Sequence, residues 1–121
     1  MSMKDRHKWS PEIAEIEFTF NDRGSSGTAV WQSRNELVLK AGAKLSSDPE
    51  LKKDGTLNFS AIVAEKVRAD NAGNIADNVT TTDIVFPSPN LLGIFLRYGG
   101  ANSWVSLKDE NGKTLDEWSK V

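Results

Sequence analysis

The sequence predicts a single α+β domain, and three observations support this prediction. Segments in which apolar and polar residues alternate follow one another between residues 15 and 40, as in an antiparallel meander. Two later segments carry apolar residues at helical spacing behind a capping residue. The length of 121 residues fits one domain. We therefore expect a flexible N-terminal segment over residues 1–12 and one domain over residues 13–121.

Three strands are predicted in the first part of the chain. Ile16, Phe18 and Phe20 alternate with polar residues, which is the period of a half-buried strand. Residues 28–32 and 36–40 are the next two predicted strands, and turn-like segments separate all three. Because the connections are short, we expect a three-stranded antiparallel meander.

A helix and a further strand are predicted after the meander. Asn58 or Ser60 is the expected N-cap of the helix. The helical spacing predicts that Arg68 faces solvent and that four apolar side chains face the core: Phe59, Ile62, Val63 and Val67. Residues 73–78 have the composition of a linker, and the β-branched and aromatic residues of 82–86 predict a strand.

The stretch over residues 86–118 carries the most specific local signals. Ser88 is expected to cap a helix in which Pro89 takes the first position. Proline is tolerated there because an N–H at the first position makes no hydrogen bond within the helix. Apolar residues surround most of this helix, which predicts burial on more than one side. Gly99 and Gly100 are expected to end it, because glycine adopts the left-handed conformation at little cost.

A strand, a turn and a short helix are predicted to complete the chain. Residues 103–107 alternate, with Trp104 on one face and Val105 on the other. Asn111-Gly112 predicts a hairpin-type turn, and Thr114 with Glu117 matches the capping box of a helix start. The predicted order is thus the meander, then helix–strand–helix–strand, then a short C-terminal helix.

Composition and charge restrict the possible functions. Fifteen Lys and Arg against seventeen Asp and Glu leave a formal charge of −2, which argues against a protein that wraps non-specific duplex DNA. The chain has no cysteine and no apolar run long enough to span a membrane. Its first ten residues lack the apolar core of a secretion signal. We expect a cytoplasmic protein that does not enter a membrane.

No catalytic residue, metal site or cofactor is predicted. His7 is the only histidine, and it lies in the segment expected to be solvated. With one histidine and no cysteine, a zinc site would consist mostly of carboxylates, which is unusual. The acidic residues beside the Asn111-Gly112 turn do not match the twelve-residue loop of an EF-hand. Ser88 lacks the flanking glycines of a nucleophile elbow.

Four short motifs carry a family resemblance. They are Phe-Pro-Ser-Pro-Asn at 86–90, Gly99, Asn-Ser-Trp at 102–104, and Asp-Glu-Asn-Gly-Lys-Thr-Leu-Asp-Glu at 109–117. This stretch resembles the domain of unknown function appended to the C-terminus of many GIY-YIG nucleases. It is more distantly similar to the RAMA domain of bacterial restriction–methylation systems, which is thought to read modified DNA. The resemblance implies an accessory module linked to nucleases and DNA modification, with no catalytic residue.

Four departures from the family pattern affect this implication. Asn90 stands where the family has a second serine, and Leu91-Leu92 stand where it has small residues. Ser103 replaces a glycine, and Leu107 stands where the family often has a second tryptophan. If that tryptophan contributes to a ligand surface, this chain has lost part of the surface.

The first functional hypothesis is a module that reads DNA. Ser88 and Asn90 lie at a predicted helix N-terminus, where donors suit a phosphate or a base edge. Asn102 and Trp104 follow the same helix; asparagine pairs with adenine, and tryptophan stacks on bases. Lys113, from the last motif, completes the candidate ligand-binding residues. Trp104 has an alternative interpretation as a core anchor.

The second hypothesis is a protein-interaction or assembly module without a nucleic-acid ligand, whose expected partner is a nuclease or restriction–modification protein. The slightly acidic charge and four tryptophans favour it, because an exposed Trp9, Trp31 or Trp118 would mark a partner surface. The sequence does not predict an oligomeric state.

Overall fold

A computed structural model describes residues 7–100 and 102–120 and confirms the α+β fold. The elements in chain order are β1 (Phe18–Asp22), β2 (Ser25–Ser33), β3 (Glu36–Leu39), α1 (Phe59–Asp70), β4 (Ile75–Ala76), β5 (Val79–Thr80), β6 (Ile84–Phe86), α2 (Pro89–Arg97), α3 (Ser103–Ser106) and α4 (Leu115–Ser119). Over the described residues, none of these helices has the length and apolar character needed to cross a membrane.

The predicted meander is confirmed, and β6 extends it as a fourth antiparallel strand beside β3. Alternate residues of the strands point to one face of the sheet, where α2 packs against β2, β3 and β6. The side chains of Leu92, Phe95 and Leu96 on α2 are completely buried. The core therefore lies between the sheet and α2.

The segment predicted as a linker contains a small hairpin. Strands β4 and β5 pair around Asp77 and Asn78, which have φ angles of 53° and 62°. Asparagine and aspartate tolerate this left-handed conformation better than most residues, and two such residues in succession favour a tight hairpin turn.

Helix α1 begins at a predicted cap but exposes much of its predicted core face. The Asn58 side chain accepts the N–H of Ala61 at 2.8 Å. Ala61 and Ala64 are buried, whereas Phe59 and Ile62 are 78% and 52% exposed, so these two residues do not face the core as predicted. Val67 does pack against the core, as predicted. Small alanine side chains allow α1 to approach α2 closely, and Phe59 and Ile62 lie on the solvent side.

Arg68, which the pattern assigned to solvent, points inward and supports the C-terminal end of α2. Its guanidinium donates to the carbonyls of Phe95 and Leu96 at 2.9 and 3.1 Å, and to that of Ser46 at 2.9 Å. The last carbonyls of a helix have no intrahelical partner, and a buried carbonyl without a donor is costly. Arg68 therefore satisfies groups that the helical pattern of α1 does not reveal.

Helix α2 starts as predicted but ends differently. The Ser88 hydroxyl accepts the N–H of Leu91 at 3.3 Å, and Pro89 occupies the first turn. Tyr98, with φ of 65°, takes the left-handed position expected of the glycine pair. Gly99 is instead needed for space, because a Cβ there would lie 2.6 Å from the Cβ of Glu50. The Glu50 carboxylate accepts the N–H of Gly100 at 2.8 Å, the main cause that lowers the pKa of Glu50.

The predicted strand over residues 103–107 is wrong, because this segment forms the short helix α3. The N–H of Ser103 donates to Asn90 Oδ1 at 3.1 Å, and the N–H of Leu107 donates to the Ser103 carbonyl at 3.0 Å. Ser103 and Leu107 lie four positions apart and are both fully buried, which suits a helix. An alternation over five residues is too short to distinguish a strand from one helical turn.

The turn and the helix at the C-terminal end are confirmed. Gly112 has a positive φ of 83° in the turn, and α4 starts with a capping box. The Thr114 hydroxyl accepts the N–H of Glu117 at 3.1 Å, and the Glu117 carboxylate accepts the N–H of Thr114 at 3.0 Å. These local signals were readable because each is complete within a few residues.

Residues 7–12 differ from the solvated segment expected over 1–12, since they carry tertiary contacts. The N–H of Lys8 donates to the Ser119 carbonyl at 2.8 Å, and the Trp9 indole N–H donates to the Trp31 carbonyl at 2.6 Å. The sequence has a basic cluster formed by Lys4, Arg6, His7 and Lys8, and residues 1–6 of the chain lie outside the described residues. The N-terminal segment thus reaches both α4 and β2.

Replacing Arg68 by methionine tests its support of α2. We expect the free energy of unfolding to fall by about 2–4 kcal/mol, because charged donors are removed from partly buried carbonyls. Chemical denaturation monitored by tryptophan fluorescence measures the change. Lys66→Met is the matched control, since the side chain of Lys66 is 78% exposed on the same helix, and a change within about 0.5 kcal/mol is expected. Equal losses in the two variants would contradict the assigned role of Arg68.

Candidate functional site: a tryptophan-lined cleft

An open cleft of about 540 Å³ lies where the N-terminal segment meets the start of α2. We call it the tryptophan cleft. Three of the four tryptophans line it, namely Trp9, Trp31 and Trp104. Trp31 is buried, and its indole N–H donates to the Arg34 carbonyl at 3.2 Å. The remaining lining residues are polar side chains and prolines: His7, Lys8, Arg34, Asn35, Pro87, Ser88 and Pro89.

The tryptophan cleft has a basic lining in a chain of net negative charge. Lys8 and Arg34 are exposed cationic side chains at its edge, and no Asp or Glu occurs among the described residues that line it. Lys8 lies in the N-terminal segment, directly after His7, and Arg34 lies in the turn between β2 and β3. A negatively charged ligand therefore meets positive charge and the N-terminal end of α2 at the same place.

His7 covers one face of Trp104. The two rings are nearly parallel, with 3.6 Å between their centroids and 9° between their planes. The edge of Trp104 also meets Trp31, at a centroid distance of 5.7 Å and an angle of 75°. His7 Nε2 lies 2.6 Å from Asp116 Oδ1 on α4, and this hydrogen bond is the main cause that lowers the pKa of Asp116. The stack is thus held at its far edge by a carboxylate.

The structure brings two of the five predicted site residues into the tryptophan cleft. Ser88 and Trp104 line it. Asn90 follows Ser88 but is engaged as the acceptor for the Ser103 N–H. Asn102 is exposed at the start of α3, where its side chain makes no capping hydrogen bond. Asn90 and Asn102 therefore border the start of α3 and do not line the cleft.

Lys113 lies beside a different and acidic cleft. Its Nζ is 4.1 Å from the centre of the Trp118 ring, a cation–π contact. Trp118 lines a cleft of about 650 Å³ together with Glu15, Glu17, Asp109 and Glu110. This cleft is the larger of the two, but its carboxylates repel a phosphate, so Lys113 does not join the other candidates in an anion-binding site.

Five residues that give the cleft its charge or its aromatic rings were not among the sequence candidates: His7, Lys8, Trp9, Trp31 and Arg34. The basic cluster next to Trp9 is a sequence signal for an arm that contacts phosphates, and it could have indicated Lys8 and Trp9. Arg34 had no such signal, because a charged residue in a β-turn is usually solvated. Only the pairing of β2 with β3 and the anchoring of Trp9 bring these residues together.

The pair formed by His7 and Asp116 resembles the orienting half of a catalytic triad, but no nucleophile completes it in the described structure. The one hydrogen bond found for the His7 side chain is that to Asp116. Ser88, which shares the cleft with His7, uses its hydroxyl oxygen to cap α2. Over residues 7–100 and 102–120, no three His, Asp or Glu side chains gather in a way that could hold a metal ion.

Comparison of the chain with protein-family models, with curated proteins and with solved structures gives no match. The function of the tryptophan cleft is therefore argued from its geometry and from the motif resemblance.

The turn that carries Lys113 provides a pH-dependent prediction. Asp109 accepts the Trp118 indole N–H at 2.9 Å, and this bond is the main cause that lowers the pKa of Asp109 below its ordinary value of 3.8. A carboxylate with a lowered folded-state pKa contributes stability that is complete above about pH 3.8 and is lost as the pH falls through the folded pKa.

We accordingly expect Asp109→Asn to be less stable than the wild type at pH 7 and the difference to shrink as the pH falls below 3.8. Urea unfolding at several pH values measures it. Glu110→Gln, a charge-matched change at an exposed neighbour, serves as control. A stability difference for Asp109→Asn that stays constant down to pH values well below 3.8 would contradict this role of the carboxylate.

Proposed function

We propose that this chain is a non-catalytic accessory module of a DNA-modification or nuclease system and that it reads DNA through the tryptophan cleft. The resemblance of residues 86–117 to nuclease-associated and RAMA domains motivates the DNA ligand. The observation that carries the proposal is the combination of three tryptophans with Lys8 and Arg34, without a carboxylate, beside the N-terminus of α2. We expect the module to act in the cytoplasm, a reducing compartment that suits a chain without cysteine.

The chemistry of the tryptophan cleft suits one or two nucleotides better than a length of duplex. Lys8 and Arg34 are suited to contact backbone phosphates, and the partly exposed rings of Trp9 and Trp104 are suited to stack on a base. The net charge of −2 provides no broad cationic surface for a duplex. A single-stranded segment or a base turned out of a duplex therefore fits best.

Binding to DNA is tested by fluorescence anisotropy with a labelled single strand and the matching duplex, each with and without a methylated base. We expect the single strand to bind more tightly and Lys8→Ala/Arg34→Ala to bind more weakly. Losing two phosphate contacts should also reduce the slope of log affinity against log salt concentration by about 1.4, since each single-strand contact contributes roughly 0.7.

Lys52→Ala/Lys53→Ala is the matched control for that double variant. It removes the same charge from an exposed loop before α1 that does not line the cleft. If both double variants lose affinity equally, the tryptophan cleft is not the binding site. If no DNA binds at roughly 100 µM protein and low salt, which is the weak end of non-specific affinities, the proposal is wrong. Trp104 would then be a core anchor only.

A protein-interaction module is the alternative function, and one observation favours it. Phe59 is 78% exposed, and Ile62, three residues later on the same face of α1, is 52% exposed. Leu51, in the segment that pairs with Leu57 just before this helix, is 53% exposed. The tryptophans that first suggested this function favour it less, because Trp31 is buried and the other three are partly buried.

This alternative predicts concentration-dependent association that Phe59→Ser abolishes. Because Phe59 is mostly exposed, the substitution should leave the stability of the monomer nearly unchanged. Light scattering coupled to size exclusion measures the mass, and Val105→Ser, at a residue 46% exposed on α3, is the control. A monomer at all concentrations, together with failure to bind a nuclease partner in a pull-down, would contradict the alternative.

A further inference from the structure

We propose that the His7 ring is an internal occupant of the tryptophan cleft, and that single-stranded DNA stacks on Trp104 only after this ring moves away. The inference rests on the proposed function, because it concerns how the same cleft is regulated. We call the His7 ring and its bond to Asp116 the His7 latch.

The first support is that His7 already adopts the geometry of a stacked base. Its planar, nitrogen-containing ring lies 3.6 Å from the Trp104 ring with an angle of only 9° between the planes. Bases stack on aromatic side chains of single-strand-binding proteins in the same parallel manner. A ring in this position and a base in this position exclude each other.

The second support is that only one contact found outside the stack fixes the His7 ring. Its Nε2 lies 2.6 Å from Asp116 Oδ1, and the two side chains are 20% and 23% exposed. Asp116 is shared with Lys120, whose Nζ lies 3.4 Å from its other oxygen. One side-chain hydrogen bond contributes only a small part of the free energy of folding, so the ring can leave without unfolding the domain.

The third support is that the backbone beside His7 is anchored independently of the ring. The N–H of Lys8 donates to the Ser119 carbonyl at 2.8 Å, and the Trp9 indole N–H donates to the Trp31 carbonyl at 2.6 Å. A rotation of the His7 side chain therefore exposes Trp104 and leaves Lys8 and Trp9 at the cleft. The cationic and aromatic parts of the site remain in place when the latch opens.

The latch predicts a measurable reduction of affinity in the wild-type chain. If the open form makes up roughly 1–10% of the molecules, the apparent affinity is about 10–100 times weaker than that of an open cleft. His7→Ala removes the ring and should restore this affinity. His7→Phe lacks the bond to Asp116, but its more apolar ring stacks on Trp104 more favourably and should offset that loss, so its affinity should remain close to the wild type.

The experiment measures two quantities for the wild type, His7→Ala and His7→Phe. Anisotropy with a labelled oligo(dT) of about 12 nucleotides, within the range of single-strand sites, gives the affinity. The Trp104 indole N–H resonance in an NMR spectrum reports whether the ring has left. The unfolding midpoint of each variant tests whether the domain remains folded.

An affinity at least about tenfold higher for His7→Ala than for the other two proteins, together with a shifted Trp104 resonance, is the expected result. Equal affinities of wild type and His7→Ala overturn the latch and leave the reader function standing. An equal rise in both variants overturns the claim that a stacked ring blocks the site. Weaker binding by His7→Ala than by the wild type would also overturn the latch, because the ring would then contribute to binding. If the Trp104 resonance shifts but no protein binds oligo(dT), both the reader function and the latch fail.

Discussion

Helix α2 is enclosed between the sheet and α1, and its burial determines how the neighbouring elements are arranged. Leu92, Phe95 and Leu96 have no exposed surface, and Asn90 is the one residue of this helix that is mainly exposed. The carbonyls at the buried C-terminal end of this helix need hydrogen-bond partners within the protein, and the first N–H groups at its start need a cap. Ser88 meets this need at the start of α2 and Arg68 at its end. The position of α1, with its alanine face and inward arginine, follows from that requirement.

The tryptophan cleft is a consequence of the same arrangement. Because Pro87, Ser88 and Pro89 must turn the chain from β6 directly into α2, the start of this helix is fixed at one end of the sheet. Asn90 then holds the first N–H of α3, which carries Trp104 toward the N-terminal segment. Trp31 and Trp104 thus belong to elements whose positions the core determines, whereas the two exposed cations of the cleft lie on the surface around it. This division between a rigid frame and an adaptable rim is common in binding sites.

Local signals predicted much of this fold, and tertiary requirements decided the rest. The Ser88 cap, the capping box of Thr114 and Glu117, and the meander were readable because each depends on neighbouring residues or on a regular period. The sequence pattern did not predict which side chains of α1 face α2. Its apolar periodicity favoured Phe59 and Ile62, but close packing against α2 requires the small side chains of the alanines. The helix at 103–106 was also hidden, since its first N–H is satisfied by Asn90, thirteen residues earlier. The cleft needed His7 and Arg34, which no local pattern connects to Ser88.

Titration with a short single-stranded oligonucleotide, followed through the four indole N–H resonances, shows whether the tryptophan cleft takes a nucleic-acid strand. Trp9, Trp31 and Trp104 line the cleft, whereas Trp118 lines the acidic one and provides an internal reference. We expect the resonances of the first three tryptophans to shift together, with a common dissociation constant, while that of Trp118 stays in place. Shifts confined to Trp118, or no shift in any of the four, would contradict this expectation.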